Sequence, residues 1–97
     1  MYRLQPQVLG GARIHGRCDG RAVRGVTADS REVRAGSVFV CLKGTRYDGH
    51  AFVEKAVLDG AVAVVAGIPL RCTVPVLTVS DTRDALARLA GWWWGHP

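Results

Sequence analysis

The residues best suited to chemistry lie in two polar stretches on either side of the apolar run Ser37-Val38-Phe39-Val40-Cys41-Leu42. The first stretch is Asp29-Ser30-Arg31, followed by a bend at Arg34-Ala35-Gly36. The second is Lys43-Gly44-Thr45-Arg46-Tyr47-Asp48. Together they offer hydroxyls and fork-shaped guanidinium groups, the donors that hold a phosphate oxygen. Equipment for reaction is missing. No G-x-x-x-x-G-K-[ST] loop occurs in the 97 residues, and no carboxylate cluster is suited to magnesium. Lys43 is followed by Gly44 and Thr45 but lacks the upstream glycine. The chemistry to expect is the holding of an anionic ligand.

Within the first stretch the side chains divide by role. Asp29 repels an anion, so it is expected to tie down the turn by accepting from backbone N–H groups. Ser30 is either a turn residue or a donor to the ligand. Arg31 either orients the loop or touches the ligand. Gly36 is available for a positive φ at the bend. His50 is expected to be structural or solvent-facing. His15 and His96 have no partners at ligand spacing, and no metal site is expected.

Composition narrows the function classes. A chain of 97 residues makes one domain at most. With 48% apolar and 22% charged residues it is too apolar for disorder. No apolar run approaches the roughly 18 residues of a membrane span, and Arg3 is not followed by a secretory apolar block. Cys18, Cys41 and Cys72 are odd in number and contain no C-x-x-C pair, which argues against a disulfide framework or structural zinc. The expected location is the cytoplasm. The net charge of +5 favours an anionic partner. Eleven of the thirteen basic residues are Arg, but they are scattered, so a phosphate-bearing small molecule fits better than a nucleic acid.

The elements that must position these groups alternate between strand and helix. Residues 1–20 read as an irregular lead-in or short helix, broken by Gln5-Pro6 and Gly10-Gly11. Residues 21–28 alternate as a strand. Residues 37–42, unbroken and apolar, read as a strand covered on both faces. A helix over 49–59, capped by Asp48, carries Phe52, Val53, Ala56 and Val57 on one face and ends at Gly60. Strands over 61–65 and 75–79 follow, then a helix capped by Ser80 or Asp81 with Leu86, Leu89, Ala90 and Trp93 as its stripe. Strand, helix and strand form a βαβ unit, expected to be right-handed. The fold class is a small layered α/β domain with a short mixed or parallel sheet flanked by helices. On this reading the two polar loops stand at opposite ends of a strand about 20 Å long. The Gly44–Asp48 segment would have to curl back toward Ser30.

The spaced combination of Val26-Thr27-Ala28-Asp29-Ser30-Arg31, Gly36-Ser37-Val38-Phe39-Val40, Lys43-Gly44, Asp48-Gly49-His50-Ala51-Phe52-Val53, Ala56, Gly60-Ala61 and Ala63-Val64 resembles the N-terminal domain of Mur ligases, the MurE type above all. Leu89-Ala90-Gly91 through Trp94 to Gly95-His96-Pro97 is similar to the helix that ends this domain. The resemblance covers about residues 22–97 and implies a domain over 21–97 that holds the UDP end of UDP-MurNAc-L-Ala-D-Glu. It carries the uridine and diphosphate contacts onto Ala28, Ser30, Thr45, Arg46 and Tyr47, with Asp29, Arg31, Gly36 and Gly44 as loop support. A backbone group beside Ala28 can meet the uracil edge. Ser30, Thr45 and Arg46 can donate to the diphosphate, and Tyr47 can stack on the base.

The resemblance also implies a parent ligase of cytoplasmic peptidoglycan precursor synthesis. ATP and Mg2+ would act in a central ATPase domain of the same parent chain. This chain, lacking the ATP loop, is expected to be inactive alone, with no cofactor of its own and neither nucleic acid nor membrane as partner. Two rivals stand beside the MurE reading. One is a MurF-type ligase, although Ser in the middle of Asp29-Ser30-Arg31 leans to the MurE type. The other is a free-standing UDP-sugar binding module, separated from a ligase by whether the reading frame continues past Pro97 into an ATP loop. Trp93 is expected to be buried, and Trp92 and Trp94 to pack on this domain or the next.

Overall fold

Alternation along the apolar segments sends side chains to opposite sides of one sheet. The computed structural model describes residues 2–3, 13–15, 22–42 and 49–94. Among them the elements run β1 (Tyr2–Arg3), β2 (Arg13–His15), β3 (Ala22–Val23), β4 (Gly25–Thr27), β5 (Ser37–Val40), α1 (Val53–Leu58), β6 (Ala63–Ala66), β7 (Val76–Thr78) and α2 (Thr82–Trp94). Strands β4, β5, β6 and β7 lie side by side in that order, all parallel. β2 joins the outer edge of β7 in the antiparallel sense, so the five-stranded sheet is mixed. β1 and β3 form a separate antiparallel pair.

Each strand divides its residues between two cores. Val38 and Val40 of β5, Ala63 and Val65 of β6 and Leu77 of β7 pack with Ala85 and Leu89 of α2. Phe39 and Cys41, Val64 and Ala66, and Val76 pack with Val53 and Ala56 of α1. All four residues of β5 and all four of β6 are buried, as strands covered on both faces must be. Each fully buried Val, Leu or Phe contributes about 1.5–3 kcal/mol, so this two-sided burial dominates the fold's stability. Cys41 is a buried core residue, and the half-buried Cys72 donates its thiol to the Val74 carbonyl at 3.2 Å.

Several boundaries differ from the sequence reading. The segment read as an irregular lead-in supplies β1 and β2, two short strands whose partners are distant in sequence. The strand expected over 21–28 is split at Arg24. There the backbone N–H turns away to donate to the Gly36 carbonyl at 2.8 Å, and β3 leaves to pair with β1. The helix expected over 49–59 opens as a 3-10 turn, Gly49–Phe52, before becoming α-helical at Val53. Its proposed cap, Asp48, lies outside the described residues. Asp81 caps α2, its carboxylate accepting from the N–H groups of Arg83 and Asp84 at 3.0 and 3.1 Å. Trp92 and Trp93 are half-buried against the α2-side core, their ring centroids 6.2 Å apart. No helix among the described residues is long and apolar enough to cross a membrane.

The turn before β5 and the turn after α1 are built against each other. Gly36 and Gly60 have φ of 92° and 110°, the left-handed region expected of both. The Gly36 N–H donates to the Gly60 carbonyl at 2.9 Å. A Cβ on Gly60 would stand 2.6 Å from the Ala35 Cα. Gly91, by contrast, sits inside α2 with open space where a Cβ would be. Gly60→Ala should therefore destabilise the chain by more than about 1 kcal/mol, while Gly91→Ala should stabilise it by about 0.5–1 kcal/mol. Urea unfolding of both variants reads the opposite signs.

Candidate functional site

β4 pairs in parallel with β5, with Thr27 opposite Phe39. The chain leaving Thr27 thus emerges beside Val40 to Leu42, at the carboxyl edge of the sheet. This corrects the expectation that the two polar loops lie at opposite ends of β5. Parallel pairing brings Ala28 to Arg31 to the end where β5 finishes, and residues 32–36 make the return to the start of β5. In open α/β sheets this carboxyl edge is where ligands collect.

Side chains fix the first loop from within. The Thr27 hydroxyl accepts from the Asp29 N–H at 3.0 Å. The Asp29 carboxylate accepts from the Arg31 backbone N–H at 2.9 Å and caps the 3-10 turn Ser30–Glu32. The Arg31 guanidinium returns to the same carboxylate through Nε at 3.1 Å and Nη2 at 2.9 Å. These hydrogen bonds from Arg31, those of the side chain first and that of the backbone second, hold the Asp29 carboxyl below its ordinary value of 3.8. Further along, the buried Ser37 hydroxyl accepts from the Arg34 N–H at 2.9 Å while the Ser37 N–H donates to the Arg34 carbonyl. Asp29 caps the 3-10 turn, and the Arg31 side chain pairs with it. The Ser30 hydroxyl takes no hydrogen bond from any described residue.

The facing wall begins where β5 ends. The Gly49 N–H donates to the Leu42 carbonyl at 2.7 Å. A Cβ at Gly49 would sit 2.7 Å from the Leu42 nitrogen, so only glycine permits this approach. His50 Nε2 accepts from the Gly67 N–H at 3.0 Å and joins the carboxyl ends of β5 and β6, the structural role expected of it.

Between these walls lies an open cavity of about 600 Å³, within the range of small-molecule sites. Ala28, Asp29, Ser30 and Arg31 line one side, Phe39, Leu42, Gly49 and Phe52 form an apolar floor, and Lys55 and Arg83 complete the rim. Of the sequence-predicted residues, Ala28 and Ser30 meet at this cavity with the Asp29–Arg31 pair. Gly36 supports the turn at the opposite, amino end of β5. Gly44, Thr45, Arg46 and Tyr47 lie outside the described residues. Lys55 and Arg83 were not singled out from sequence. The available signal was topological, because a helix following a parallel strand begins at the carboxyl edge. Among the described residues, no three His, Cys, Asp or Glu side chains gather to hold a metal ion.

Comparison with known proteins bears on the family and the fold. Residues 22–93 match the family model described as Mur ligase family, catalytic domain. The chain is 55% identical over 69 residues to the UDP-N-acetylmuramoyl-L-alanyl-D-glutamate–2,6-diaminopimelate ligase of Geobacillus kaustophilus, covering 71% of this chain and 14% of that protein. It is 46% identical over 77 residues to the enzyme of the same name from Aquifex aeolicus, covering 79% and 16%. A crystal structure of MurF from Acinetobacter baumannii superposes with a TM-score of 0.82 at 29% identity, over 94% of this chain and 20% of that one. MurF ligase from Thermotoga maritima in complex with ADP superposes with a TM-score of 0.65 at 38% identity, over 75% and 17%. The chain thus spans 14 to 16% of the length of these curated relatives. It belongs to the Mur ligase family.

The Asp29–Arg31 pair makes a direct pH prediction. A carboxyl with a lowered folded value contributes stability that is fully present above 3.8 and is lost as pH falls through the lowered value. The Arg31 side chain is 86% exposed, so solvent screens the contribution and keeps it small. An NMR titration of the Asp29 carboxyl carbon should give a midpoint below 3.8, and Arg31→Ala should move it back up toward that value.

Proposed function

We propose that this chain is the substrate-holding domain of a MurE-type ligase, gripping the UDP end of UDP-N-acetylmuramoyl-L-alanyl-D-glutamate. The observation that carries this reading is the meeting of Ala28 and Ser30 at one cavity on the sheet's carboxyl edge. The names of its sequence relatives supply the substrate, and their identity to this chain exceeds that of the MurF structures. In the parent protein the domain would work in the cytoplasm beside a central ATPase domain, as part of an enzyme of peptidoglycan precursor synthesis that uses ATP to form an amide bond.

The residues act on the ligand as a holder. Leu42 and Phe52 offer an apolar surface to the flat uracil ring, and the backbone beside Ala28 reaches the ring's polar edge. The Ser30 hydroxyl, unengaged by described residues, donates to a diphosphate oxygen. The Asp29–Arg31 pair fixes the loop and cancels the carboxylate charge that would repel the phosphates. Thr45, Arg46 and Tyr47 are proposed to add donors and a stacking ring from the second loop.

ATP and Mg2+ would supply carboxylate activation in the parent enzyme, and this chain's residues do not fit them. The sequence has no phosphate-cradling Gly-rich loop ending in Lys-Ser or Lys-Thr. No carboxylates gather for Mg2+ among the described residues. We assign no chemical step to this chain and propose that it is inactive by itself. A MurF-type parent is the second reading, favoured by the superposition of MurF structures on the chain. Both ligase types act on substrates with the same UDP-muramoyl end, so the cavity serves either one.

Titration with UDP-N-acetylmuramoyl-L-alanyl-D-glutamate tests the site. Ser30→Ala should weaken binding by about 1–3 kcal/mol, the loss of one hydrogen bond to a charged group. Unchanged affinity would remove Ser30 from the site.

A further inference from the structure

We infer that Arg83 grips the diphosphate of the nucleotide from the rim across from Ser30; the inference rests on reading the cavity as a UDP-substrate site. Among the described residues, four ionisable side chains line that cavity: Asp29, Arg31, Lys55 and Arg83. Three of them already have acceptors or donors in the fold. Arg31 places two nitrogens on Asp29 at 3.1 and 2.9 Å. Lys55 places its ammonium on Asp59, one helical turn on, at 2.7 Å. Arg83 differs. Its backbone N–H donates to the Asp81 carboxylate at 3.0 Å, but no described residue accepts from its guanidinium.

The neighbours of Arg83 one helical turn on are Leu86 and Ala87, neither of them acidic, whereas Arg88 in the same helix pairs with Asp84 at 2.9 Å. A guanidinium carries five N–H donors in a planar fork suited to two oxygens of one phosphate. At the cavity rim and with no acceptor among the described residues, that fork is matched by an oxyanion from outside. The charge count agrees. Among the described lining residues, Asp29 and Arg31 cancel and Lys55 is paired with Asp59, which leaves the guanidinium of Arg83 as the cation without a side-chain partner, beside the Asp81 carboxylate that accepts its backbone N–H. Ser30 and Arg83 stand on elements at opposite ends of the parallel array, the loop after β4 and the first turn after β7. A diphosphate held between them would be fixed in direction as well as place.

The test uses the 97-residue chain and two probes that differ only in phosphate, UDP and uridine, titrated by NMR chemical shift into the millimolar range. Arg83→Ala keeps the N–H that bonds Asp81, and Arg83→Gln provides a second uncharged variant of similar length. Either should weaken UDP about ten- to a hundredfold, the usual loss of a charge-assisted hydrogen bond, and leave uridine unchanged. Arg83→Lys should fall between, keeping the charge without the fork. Added salt should weaken UDP more in the parent chain than in Arg83→Ala.

If Arg83→Ala and Arg83→Gln bind UDP as the parent does while Ser30→Ala binds it less well, the inference fails and the pocket reading stands. An equal loss for UDP and uridine would also overturn it, by showing that Arg83 shapes the pocket without touching phosphate. If the parent chain binds no UDP, the pocket reading and this inference fall together.

Discussion

The parallel pairing of β4 with β5 is the constraint from which the site follows. Had the two strands paired as a hairpin, Ala28 to Arg31 would cap the amino end of β5 and face nothing that Leu42 or Gly49 could reach. With Thr27 in register with Phe39, the same residues stand at the carboxyl edge, and the return to β5 takes only the 3-10 turn and the four residues after it. That short crossover has a structural cost. Val33 must be buried, Ser37 must bond Arg34 in both directions, and Gly36 must take a positive φ to enter β5. The turn at Gly36 then docks on the turn at Gly60, so the loop that serves the site is anchored through the βαβ unit beneath it.

Charge is managed within that loop before any ligand arrives. A carboxylate beside a phosphate site is unfavourable unless its charge is cancelled. Arg31 cancels it with a bidentate contact while remaining largely in solvent. The same carboxylate accepts the backbone N–H that starts the 3-10 turn, so one side chain shapes the loop and presents Ser30. On the proposed function, Asp29 and Arg31 would serve the site through Ser30, with no ligand contact of their own.

Much of this was legible in the sequence where the signal is local. The unbroken run at Ser37, the apolar face of Val53 and Ala56, the positive φ at Gly36 and Gly60, and the turn-forming Asp29 each follow from residue type and near neighbours. The direction of strand pairing was not legible, because parallel and antiparallel strands share composition here and the crossover contains no long helix to betray it. β2 escaped notice for a related reason. Its three residues, Arg13–His15, carry little periodic signal, and their partner in β7 is far along the chain. Trp93 is only half-buried because the stripe of α2 is centred on Ala85 and Leu89, and the helix end lies toward the margin of the core.

The cavity's polarity follows from the same architecture. Its floor is made by residues belonging to the α1-side core, Phe39 and Phe52, so it is apolar wherever the sheet and helix meet. Its rim is made by chain termini of elements, where side chains such as Ser30, Lys55 and Arg83 extend into solvent. A ligand with a flat apolar ring and an anionic tail matches that gradient in one orientation, ring inward and phosphates outward. The reverse orientation would bury a diphosphate against phenylalanine without compensating hydrogen bonds, a desolvation cost of several kcal/mol or more. Orientation is therefore set by the layering of the fold before any individual hydrogen bond is made. On the proposed function, the rim residues would then decide how tightly the anionic end is held.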